Sequence, residues 1–450
     1  MYFLYSIFLS LACLALLPYF LYQAFLNKKY LSNFRERLGA LPAALQSDAR
    51  PTIWIHAVSV GETLAAHPLV NALRARFPTH RLIFSTTTAT GQAVARSRVS
   101  EADGFCYFPF DWKFSVRKAL NTIKPDAVVL MESELWPNFL RECKGRKIPV
   151  VVANGRVSDR SFRRSLKFAF WFRRITANVT RFLMQSEADA ARMQALGADS
   201  ESIIVSGNIK YDIGQEKDAR EIAAKAQLIE ADFALARTPL IVAGSTSDGE
   251  EELLLAAFAE VRKDMADVRL LIAPRHPERF DVVAKMLDSS RFKSVRRSAY
   301  MQQVETVSAS SFAALTQTKN PAHSADIILL DSIGELASLY RFAAVVFVGG
   351  SLVPKGGHNI LEPALDAKPI IVGPYMENFR EIAAEFTRHD AVVQLQGKHE
   401  NELIAALRET LLELLTDGER AKTLGHNARA TVEANRGATA KTVAAIADLI

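Results

Sequence analysis

Two series of short apolar runs alternate with longer helix-like segments along most of the 450-residue chain, and this alternation limits the folds that it can adopt. The first series runs from TIWIHAV (52–58) to SIIVSGN (202–208), and the second from PLIVAGS (239–245) to KPIIVGP (368–374). Continuous apolar runs separated by amphipathic segments are typical of parallel sheets covered by helices on both faces. The sequence therefore predicts an α/β protein with two doubly wound, Rossmann-like halves.

A charged, helix-like stretch separates the two series and indicates the domain organisation. With 49% hydrophobic residues, the chain has material for two cores. We predict an N-terminal segment at 1–26, an N-terminal domain at 27–211, a linker at 212–236, and a C-terminal domain at 237–450 that closes in amphipathic helices. Because ligands bind beyond the carboxyl ends of parallel strands, we expect the active site in a cleft between the halves. Residues 299–323 are predicted to form a surface loop or small insertion, with no assigned function.

Residues 2–26 carry no formal charge and are long enough to cross the hydrocarbon core of a bilayer, which needs about 20 residues. Basic residues follow at Lys28 and Lys29, which favours a cytoplasmic position for the rest of the chain. We therefore predict a transmembrane anchor. A cleaved signal peptide is disfavoured because the segment lacks a basic start and a small-residue cleavage site. A helix lying in the membrane interface remains open, since Pro18 can bend the segment.

The net charge and the cysteine content indicate the kind of partner and the redox compartment of the protein. The net charge of +6 and a pI near 9.1 favour anionic partners such as phospholipid, nucleotide or a phosphorylated substrate, and they do not require nucleic acid. The three cysteines, Cys13, Cys106 and Cys143, form neither a disulfide framework nor a zinc-type spacing. A reducing cytoplasm fits this composition best.

Glu62 lies where an apolar run ends in a glycine-containing turn and a helical pattern begins. One interpretation is structural, because an acid in the first helical turn complements the helix dipole by about 0.3–1 kcal/mol. The other is catalytic, because a carboxylate at a strand-to-helix turn faces the ligand crevice and can take a proton from an attacking hydroxyl. The position alone leaves both interpretations open.

Glu132 and Glu134 directly follow the apolar run AVVLM, so both are expected at the carboxyl end of a strand. Like charges so close together raise one pKa, which suits the handling of protons. The alternative is that one carboxylate caps the next helix while the other pairs with a basic neighbour. We favour the functional pair.

Seven basic residues alternate with aromatic and aliphatic ones between Arg156 and Arg174, and no acid occurs between Arg160 and Arg181. The default interpretation is a solvated basic helix that packs on the core. The mixture of aromatic and cationic side chains also suits contact with anionic lipid headgroups, and we favour this membrane-facing role.

Four loops at predicted strand ends of the second series contain glycine or basic residues. Arg275 and His276 can donate hydrogen bonds to a phosphate or a base. A helix begun at Asn359 would direct free N–H groups at a phosphate, and Glu362 could accept hydrogen bonds from ribose hydroxyls. The set indicates a nucleotide site without a Walker or dinucleotide fingerprint. The loops are Gly244–Thr246, Pro274–Arg279, Ser332–Leu336 and Gly349–Pro363.

Motifs from both halves together resemble the Kdo transferases of lipopolysaccharide assembly, where Kdo is 3-deoxy-D-manno-octulosonic acid. The resemblance covers essentially the whole chain and implies a GT-B glycosyltransferase fold. It further implies that the N-terminal half takes the acceptor and the C-terminal half takes CMP-Kdo. The motifs are KYLSNFRERLG, WIHAVSVGE, ESELWPN, GNIKYD, APRHPERF, SIGEL and FVGGSLVPKGGHNILEP.

The resemblance also implies roles for individual residues. Glu62 would be the general base that deprotonates a sugar hydroxyl of a lipid A precursor, lipid IVA, in an inverting transfer. Glu132 and Lys210 would stabilise the transition state. The resemblance implies a reaction without a metal, and the lack of a DxD-type acidic pair after a strand agrees with this. No cofactor is expected. The implied CMP-binding residues are Arg275, His276, Ile333, Gly334, Glu335, Asn359, Ile360, Leu361 and Glu362.

This resemblance places the protein at a bacterial inner membrane, with the catalytic domains on the cytoplasmic side, the anchor among phospholipids, and no role for nucleic acid. One alternative is a glycosyltransferase of the same fold that uses another nucleotide sugar and an undecaprenyl-linked or glycerolipid acceptor. Another is a membrane-tethered nucleotide-binding regulator. A regulator would need the nucleotide loops but not Glu62, Glu132 and Lys210, so the presence of all three favours an enzyme.

Overall fold

The computed structural model describes residues 2–27, 33–213, 216–299 and 321–450, and these form two compact units. The first unit comprises Met1–Asp212 and Asn435–Ile450, and the second comprises Ile213–Ala434. Each unit is built on a seven-stranded sheet in which the paired strands are parallel. The predicted α/β class with two parallel sheets is therefore confirmed.

The first sheet has seven strands, of which most are buried on both faces. They are β1 (Thr52–Ala57), β2 (Arg81–Thr86), β3 (Gly104–Tyr107), β4 (Ala127–Met131), β5 (Val150–Gly155), β6 (Arg181–Met184) and β7 (Ile203–Val205). Their order in the sheet is β3-β2-β1-β4-β5-β6-β7. The direction of winding reverses between β1 and β4, and the loops that follow these two strands flank the crevice where such sheets bind ligands.

Helices cover both faces of the first sheet. Along β1 the side chains alternate, so that Trp54 packs on one face with Phe108 and Phe139 while Ile53 and Ile55 pack on the other. The ring centroids of Trp54 and Phe139 are 5.3 Å apart, in an edge-to-face arrangement. The helices are α1 (Tyr2–Asn27), α2 (Phe34–Arg37), α3 (Val60–Arg76), α4 (Ala89–Arg98), α5 (Lys113–Ile123), α6 (Pro137–Gly145), α7 (Asp159–Leu166), α8 (Ala169–Thr176) and α9 (Glu187–Ala195).

The second sheet repeats this plan. Its strands are β8 (Leu240–Thr246), β9 (Arg269–Pro274), β10 (Ser294–Arg296), β11 (Ile327–Leu329), β12 (Val345–Val348), β13 (Ile370–Val372) and β14 (Val393–Gln394). Their order is β10-β11-β9-β8-β12-β13-β14, so the winding reverses between β8 and β12. Of the four segments singled out in the sequence, Gly244–Thr246 forms the carboxyl end of β8 instead of a loop after it. The other three lie at or after the ends of β9, β11 and β12, and the four strands are consecutive neighbours in the sheet.

The helices of the second unit bury an aliphatic core against this sheet, with Phe258, Leu407 and Leu424 among its members. The described helices are α10 (Glu216–Phe233), α11 (Glu250–Asp264), α12 (Phe280–Asp288), α13 (Leu336–Leu339), α14 (Leu361–Leu365), α15 (Arg380–Arg388), α16 (Glu400–Thr416) and α17 (Gly418–Ala434). The predicted insertion at 299–323 lies outside the described residues for all but its ends.

The structure corrects the predicted linker at 212–236. Glu216–Phe233 forms α10, which belongs to the second unit. Its C-terminal end is held there because Arg297 Nη1 donates to Asp232 Oδ2 at 2.7 Å and because Phe233 is fully buried. Toward the C-terminal end of α10, Ala226, Ile229 and Phe233 are buried at the spacing of one helix face.

The structure also corrects the predicted end of the C-terminal domain at residue 450. The last helix, α18 (Ala438–Ala447), belongs to the first unit. Val443 and Ile446 pack into the core beneath α3. The carboxylate of Asp212 accepts hydrogen bonds from the backbone N–H of Gly437 at 2.7 Å and of Thr439 at 2.6 Å, which fixes the start of this helix.

The N-terminal segment forms α1, and its first half packs on the first unit through polar groups. Asn138 Nδ2 donates to Ser6 Oγ at 3.0 Å, Trp112 Nε1 donates to Ser10 Oγ at 3.1 Å, and the Tyr2 hydroxyl donates to a backbone carbonyl of α8 at 3.0 Å. The described side chains of α1 are those of residues 2–16 and 18. Within the described part of the chain, no helix combines the length and the apolar character needed to cross a membrane. The anchor is thus not confirmed and stays a prediction.

Candidate functional site

Glu62 lies in the first turn of α3, directly after β1. Ser59 caps this helix: its hydroxyl accepts from the Glu62 N–H at 3.4 Å and donates to Glu62 Oε1 at 3.1 Å. The other carboxylate oxygen, Oε2, accepts from the backbone N–H of Val58 at 2.8 Å. This reciprocal arrangement is a variant of the capping box, in which the Glu62 carboxylate accepts from the N–H of Val58 instead of that of the N-cap residue Ser59, so Glu62 also has a structural role at the start of α3. It also holds the half-buried carboxylate in one place at the crevice end of the sheet.

The surroundings of Glu62 make its carboxylate a better base than an exposed one. Burial raises its pKa, and the nearby charge of Glu132 raises it further. The hydrogen bonds from Val58 and Ser59 and the charge of Lys210 oppose the shift. A carboxylate with a raised pKa binds a proton more readily, which is what a general base requires.

Glu132 follows β4 and has a left-handed backbone, with φ of 55°. Its N–H donates to Ala153 O of the neighbouring β5 at 2.8 Å, so the turn is held on the sheet. In this conformation Glu132 Oε1 lies 3.8 Å from Lys210 Nζ. Left-handed backbone at a residue other than glycine or asparagine is uncommon, and such residues concentrate at functional sites.

Lys210 reaches Glu132 from a short 3-10 helix, Ile209–Tyr211, that packs beside the end of β5. Asn208 Oδ1 caps this turn by accepting from Lys210 N at 3.0 Å. Asn154 Oδ1 accepts from Ile209 N at 3.0 Å and so ties the turn to the sheet. Asn154 has a left-handed backbone, with φ of 56°. Asn154 was not among the predicted site residues, although an Asn-Gly pair that ends a β-rich run is a signal for such a conformation.

Glu134 completes a group that we call the carboxylate cluster: Glu62, Glu132 and Glu134, with Lys210. Burial raises the pKa of Glu134 to about 7, and the charges of Glu62 and Glu132 contribute to this rise. The structure thus brings together, in the first unit, the three predicted catalytic residues and the second acid of the ESELWPN motif. Across the described ranges, no group of three or more His, Cys, Asp or Glu side chains is arranged to hold a metal ion.

In the second unit, the loops after β8 and β12 are held together by Glu250, the first residue of α11. Its fully buried carboxylate accepts four backbone hydrogen bonds, of 2.6–2.9 Å, from Ser247, Gly350, Ser351 and Leu352. Glu250 was not among the predicted site residues, because three consecutive acids at the start of a helix are expected to complement the helix dipole in solvent. Glu250 instead braces the two loops that flank the reversal of winding.

Arg275 and His276 follow β9, are exposed, and lie near the GGHN loop. Arg275 N donates to Thr246 O at 2.9 Å, which joins the loop after β9 to that after β8. Burial lowers the pKa of His358 to about 4, and the charges of Arg275 and His276 lower it further. Arg275 also acts on Glu362, whose pKa is raised by burial. The structure therefore brings together predicted CMP-binding residues from two separate loops.

The GGHN loop differs in one respect from the prediction. The helix begins at Leu361 rather than at Asn359, and it has only five residues. Asn359 precedes it, and its side chain accepts from Leu361 N at 3.0 Å and donates to Glu362 Oε1 at 3.1 Å. Asn359 therefore orients Glu362, while Ile360 and Leu361 are buried.

The Ile333–Glu335 turn follows β11. Gly334 has a left-handed backbone, with φ of 85°, and the side chain of Ile333 is 70% exposed. Glu335 accepts from the Ser332 hydroxyl and from Arg297 Nε at 3.4 Å. The turn thus presents backbone and an exposed apolar side chain, whereas the carboxylate of Glu335 is directed to Arg297.

The sequence of the chain is similar to those of known enzymes. A family model described as 3-deoxy-D-manno-octulosonic-acid transferase (kdotransferase) matches residues 32–213. The 3-deoxy-D-manno-octulosonic acid transferase of Haemophilus influenzae is 34% identical over 388 residues, covering 86% of this chain and 84% of that protein. The enzyme of the same name from Bordetella pertussis is 30% identical over 425 residues, covering 92% and 90%.

A solved structure extends the comparison to the fold. The UDP-GlcNAc 2-epimerase of Neisseria meningitidis, bound to UDP-GlcNAc, has a TM-score of 0.58 and covers 88% of this chain and 100% of that one. At 13% identity this likeness shows the fold alone, and it agrees with the predicted GT-B class. The family itself is shown by the sequence relatives: the chain belongs to the 3-deoxy-D-manno-octulosonic acid (Kdo) transferases.

Proposed function

We propose that the protein is an inverting glycosyltransferase that moves Kdo from CMP-Kdo to a lipid A precursor, lipid IVA, in the synthesis of the lipopolysaccharide core. Membership of the Kdo transferase family supports transfer of Kdo. The donor, the acceptor and the roles of individual residues are our proposals. The observation that carries them is the carboxylate cluster, which joins a half-buried base to an ion pair at the crevice end of a parallel sheet.

In the proposed reaction Glu62 is the general base. It takes the proton of a sugar hydroxyl as that oxygen attacks the anomeric carbon of Kdo, and the CMP phosphate leaves from the opposite face. The capping box holds the carboxylate in place, so that no free energy is spent on ordering it during the reaction. The raised pKa of Glu62 gives it the basicity that the step needs.

Glu132 and Lys210 provide separate charges for the transition state. The anomeric centre gains positive charge as the bond to phosphate breaks, and a carboxylate stabilises it. The departing phosphate and the carboxylate of Kdo are negative, and the ammonium of Lys210 suits them. The left-handed backbone of Glu132 is energetically unfavourable, and the need to place its carboxylate beside Lys210 explains why this conformation is kept.

The loops after β8, β9, β11 and β12 are proposed to bind CMP. Arg275 and His276 supply donors for the phosphate. Glu362, oriented by Asn359, accepts from the ribose hydroxyls, while the buried Ile360 and Leu361 fix the loop behind it. The Ile333–Glu335 turn offers an exposed apolar side chain against which the base can pack.

The acceptor is a membrane lipid, and we propose that the protein works at the cytoplasmic face of a bacterial inner membrane. α1 displays an exposed apolar face, in which Phe3 is 75% and Phe8 is 70% exposed. Phe168 and Phe170, between and within the basic helices α7 and α8, are also more than 60% exposed. Exposed aromatic side chains among arginines suit the headgroup region of an anionic bilayer.

The decisive experiment incubates the purified full-length protein with CMP-Kdo and tetraacylated lipid A precursor and reads the mass of the product. We expect an increment of one or more Kdo residues, and the mass also counts them. If the acceptor is unchanged while another sugar nucleotide or another lipid supports transfer, the proposed substrates are wrong and the alternative glycosyltransferase is right.

A further inference from the structure

Glu134 is the member of the carboxylate cluster to which the proposed chemistry assigns no task. It stands two residues after Glu132, in a turn where Leu135 N donates to Ser133 O at 3.0 Å. The Ser133 hydroxyl donates to Arg156 O after β5, so the turn is attached to the neighbouring strand. The half-buried side chain of Glu134 is thereby kept beside the other two acids instead of in solvent.

The groups that face Glu134 come from three elements. Glu62 is presented by α3, and Glu132 and Trp136 by its own segment. Lys210, from the 3-10 helix at Ile209–Tyr211, lies against Glu132 at 3.8 Å. With all three acids ionised, the cluster would hold three negative charges and the positive charge of Lys210 in a partly desolvated space. One proton on one acid relieves this repulsion, and Glu134, with a pKa near 7, is the acid that binds it at neutral pH.

We propose that Glu134 is a positioning residue for the general base: it holds one proton beside Glu62 in the resting cluster and gives that proton to solvent when Glu62 receives the proton of the acceptor hydroxyl. This inference rests on the proposed function. It adds a proton path that the roles of Glu62, Glu132 and Lys210 do not contain.

The protons and bonds balance in this scheme. The acceptor O–H bond breaks as the new C–O bond to Kdo forms, and the old bond to phosphate breaks with its electron pair going to CMP. Glu62 gains the acceptor proton, and Glu134 loses its own to water. The total charge of the cluster is therefore the same before and after the step. Afterwards the proton on Glu62 passes to Glu134, which restores the resting state with a net release of one proton.

The test is the pH dependence of kcat/KM for transfer, compared between wild type and Glu134→Gln. In the wild type, Glu134 releases its proton near pH 7, which adds a negative charge beside Glu62 and should give the profile a second inflection there. Glutamine cannot ionise, so we expect Glu134→Gln to lose this inflection, and its plateau rate to fall because no proton leaves the cluster when Glu62 gains one. Glu134→Asp keeps a carboxyl group and should keep the inflection.

A control variant separates this effect from a general change in charge. Glu187→Gln alters an exposed acid in the first turn of α9, outside the cluster, and should leave the profile unchanged. A Glu134→Gln profile that is lowered equally at every pH and keeps the inflection near pH 7 would mean that Glu134 is only structural and would overturn the proposal.

A second measurement does not depend on activity. Infrared titration of the full-length protein in detergent should show a protonated carboxyl band that disappears with a midpoint near pH 7, is absent from Glu134→Gln, and titrates at lower pH in Glu62→Gln. Absence of this band from the wild type overturns the proposal. If the band behaves as expected but no Kdo is transferred, the proposed function is wrong, whereas the proposal that Glu134 holds a proton in the cluster is still supported.

Discussion

At the scale of single residues, the first unit retains strain where the chemistry is proposed. Glu132 and Asn154 end adjacent strands in left-handed conformations, with φ of 55° and 56°. Asparagine tolerates this conformation, but for glutamate it costs on the order of 1–2 kcal/mol. The turn nevertheless carries a glutamate, and that glutamate meets Lys210. The placement of the Glu132 carboxylate beside Lys210 therefore outweighs the free-energy cost of the left-handed backbone.

Glu62→Gln is the sharpest residue-scale test of the proposed base. Glutamine also fits a capping box, so the variant should fold and keep its affinity for CMP. It cannot take a proton, and we expect transfer to fall by about 100-fold or more. Steady-state kinetics with CMP-Kdo and lipid acceptor, and calorimetry with CMP, measure the two properties separately. Transfer at the wild-type rate would remove Glu62 from its role.

The pH profile of the wild type follows from the same residue. A general base acts only when ionised, so the rate falls as the pH drops through the pKa of Glu62. Because burial raises that pKa, the fall should begin at a higher pH than for an exposed glutamate. Measurement of kcat/KM from pH 4 to pH 8 checks this, and a flat profile across the range would argue against a carboxylate base.

Glu250 gives a residue-scale prediction for the second unit. Replacing one carboxylate oxygen by an amide sets N–H against N–H in the brace between the loops after β8 and β12. We expect Glu250→Gln to lose at least about 2 kcal/mol of unfolding free energy and to bind CMP more weakly. Glu252→Gln, two residues on and exposed, is the matched control. If the two variants have the same free energy of unfolding and the same affinity for CMP, Glu250 does not hold the two loops together.

At the scale of elements, the joint between α1, α5 and α6 is organised by Asp111. Its buried carboxylate accepts from Asn138 N at 3.0 Å and from Phe139 N at 2.7 Å, at the start of α6. Tyr5 of α1 also donates to it. The first half of α1 is thus docked on the unit by specific polar contacts, and it is more than a flexible tether.

Asp111 makes the stability of this joint depend on pH. Burial raises its pKa to about 7, whereas in the unfolded chain the ordinary value is about 3.9. Between about pH 3.9 and pH 7, Asp111 is protonated in the folded protein and ionised in the unfolded chain. The free energy of unfolding therefore falls as the pH rises through this range and levels off above about pH 7. Chemical unfolding in detergent at pH 5 and pH 8 should show the wild type losing stability relative to Asp111→Asn. The exposed Asp267→Asn should show no such trend, and a difference between wild type and Asp111→Asn that is constant with pH would contradict the raised pKa of Asp111.

At the scale of the whole molecule, the predicted residues are divided between the two units. The carboxylate cluster belongs entirely to the first unit, and the proposed CMP-binding loops belong entirely to the second. The chain also crosses between units twice, since α18 returns to the first unit after the second is complete. Each unit thus carries one part of the machinery on its own parallel sheet.

A chain that lacks residues 1–26 tests what α1 contributes to the whole enzyme. If the segment supplies mainly local concentration at the membrane, the truncated protein keeps transfer on detergent-dispersed acceptor and loses its partition into phospholipid vesicles. It should also unfold at a lower temperature, because Asn138 and Trp112 lose their partners Ser6 and Ser10. A folded truncation without any transfer would show that α1 does more than tether.

The class of fold and the candidate positions for the chemistry can be read from the order of residues alone. Strands buried on both faces need continuous apolar runs, and such runs are visible at Trp54, Val129 and Val346 without any coordinates. Polar residues directly after these runs must lie at the carboxyl edge of a parallel sheet, which is why Glu62, Glu132 and Arg275 could be singled out. These inferences are local, and they need only the order of residues along the chain.

The way in which distant segments meet is seen only in three dimensions. The brace at Glu250 joins residues 100 positions apart, and the ion pair of Glu132 with Lys210 joins two different turns. The charged stretch at Glu216–Phe233 is a helix of the second unit, in which Ala226, Ile229 and Phe233 are buried. The last helix, α18, belongs to the first unit because Asp212 binds its start and its apolar residues pack into the core beneath α3. A pattern along the chain shows which face of an element is apolar, but the partner that buries this face is selected by packing over the whole unit. The α1 helix illustrates both parts: its uncharged sequence predicted an apolar surface, whereas its polar contacts with the rest of the first unit, through Tyr2, Tyr5, Ser6 and Ser10, are seen only in the structure.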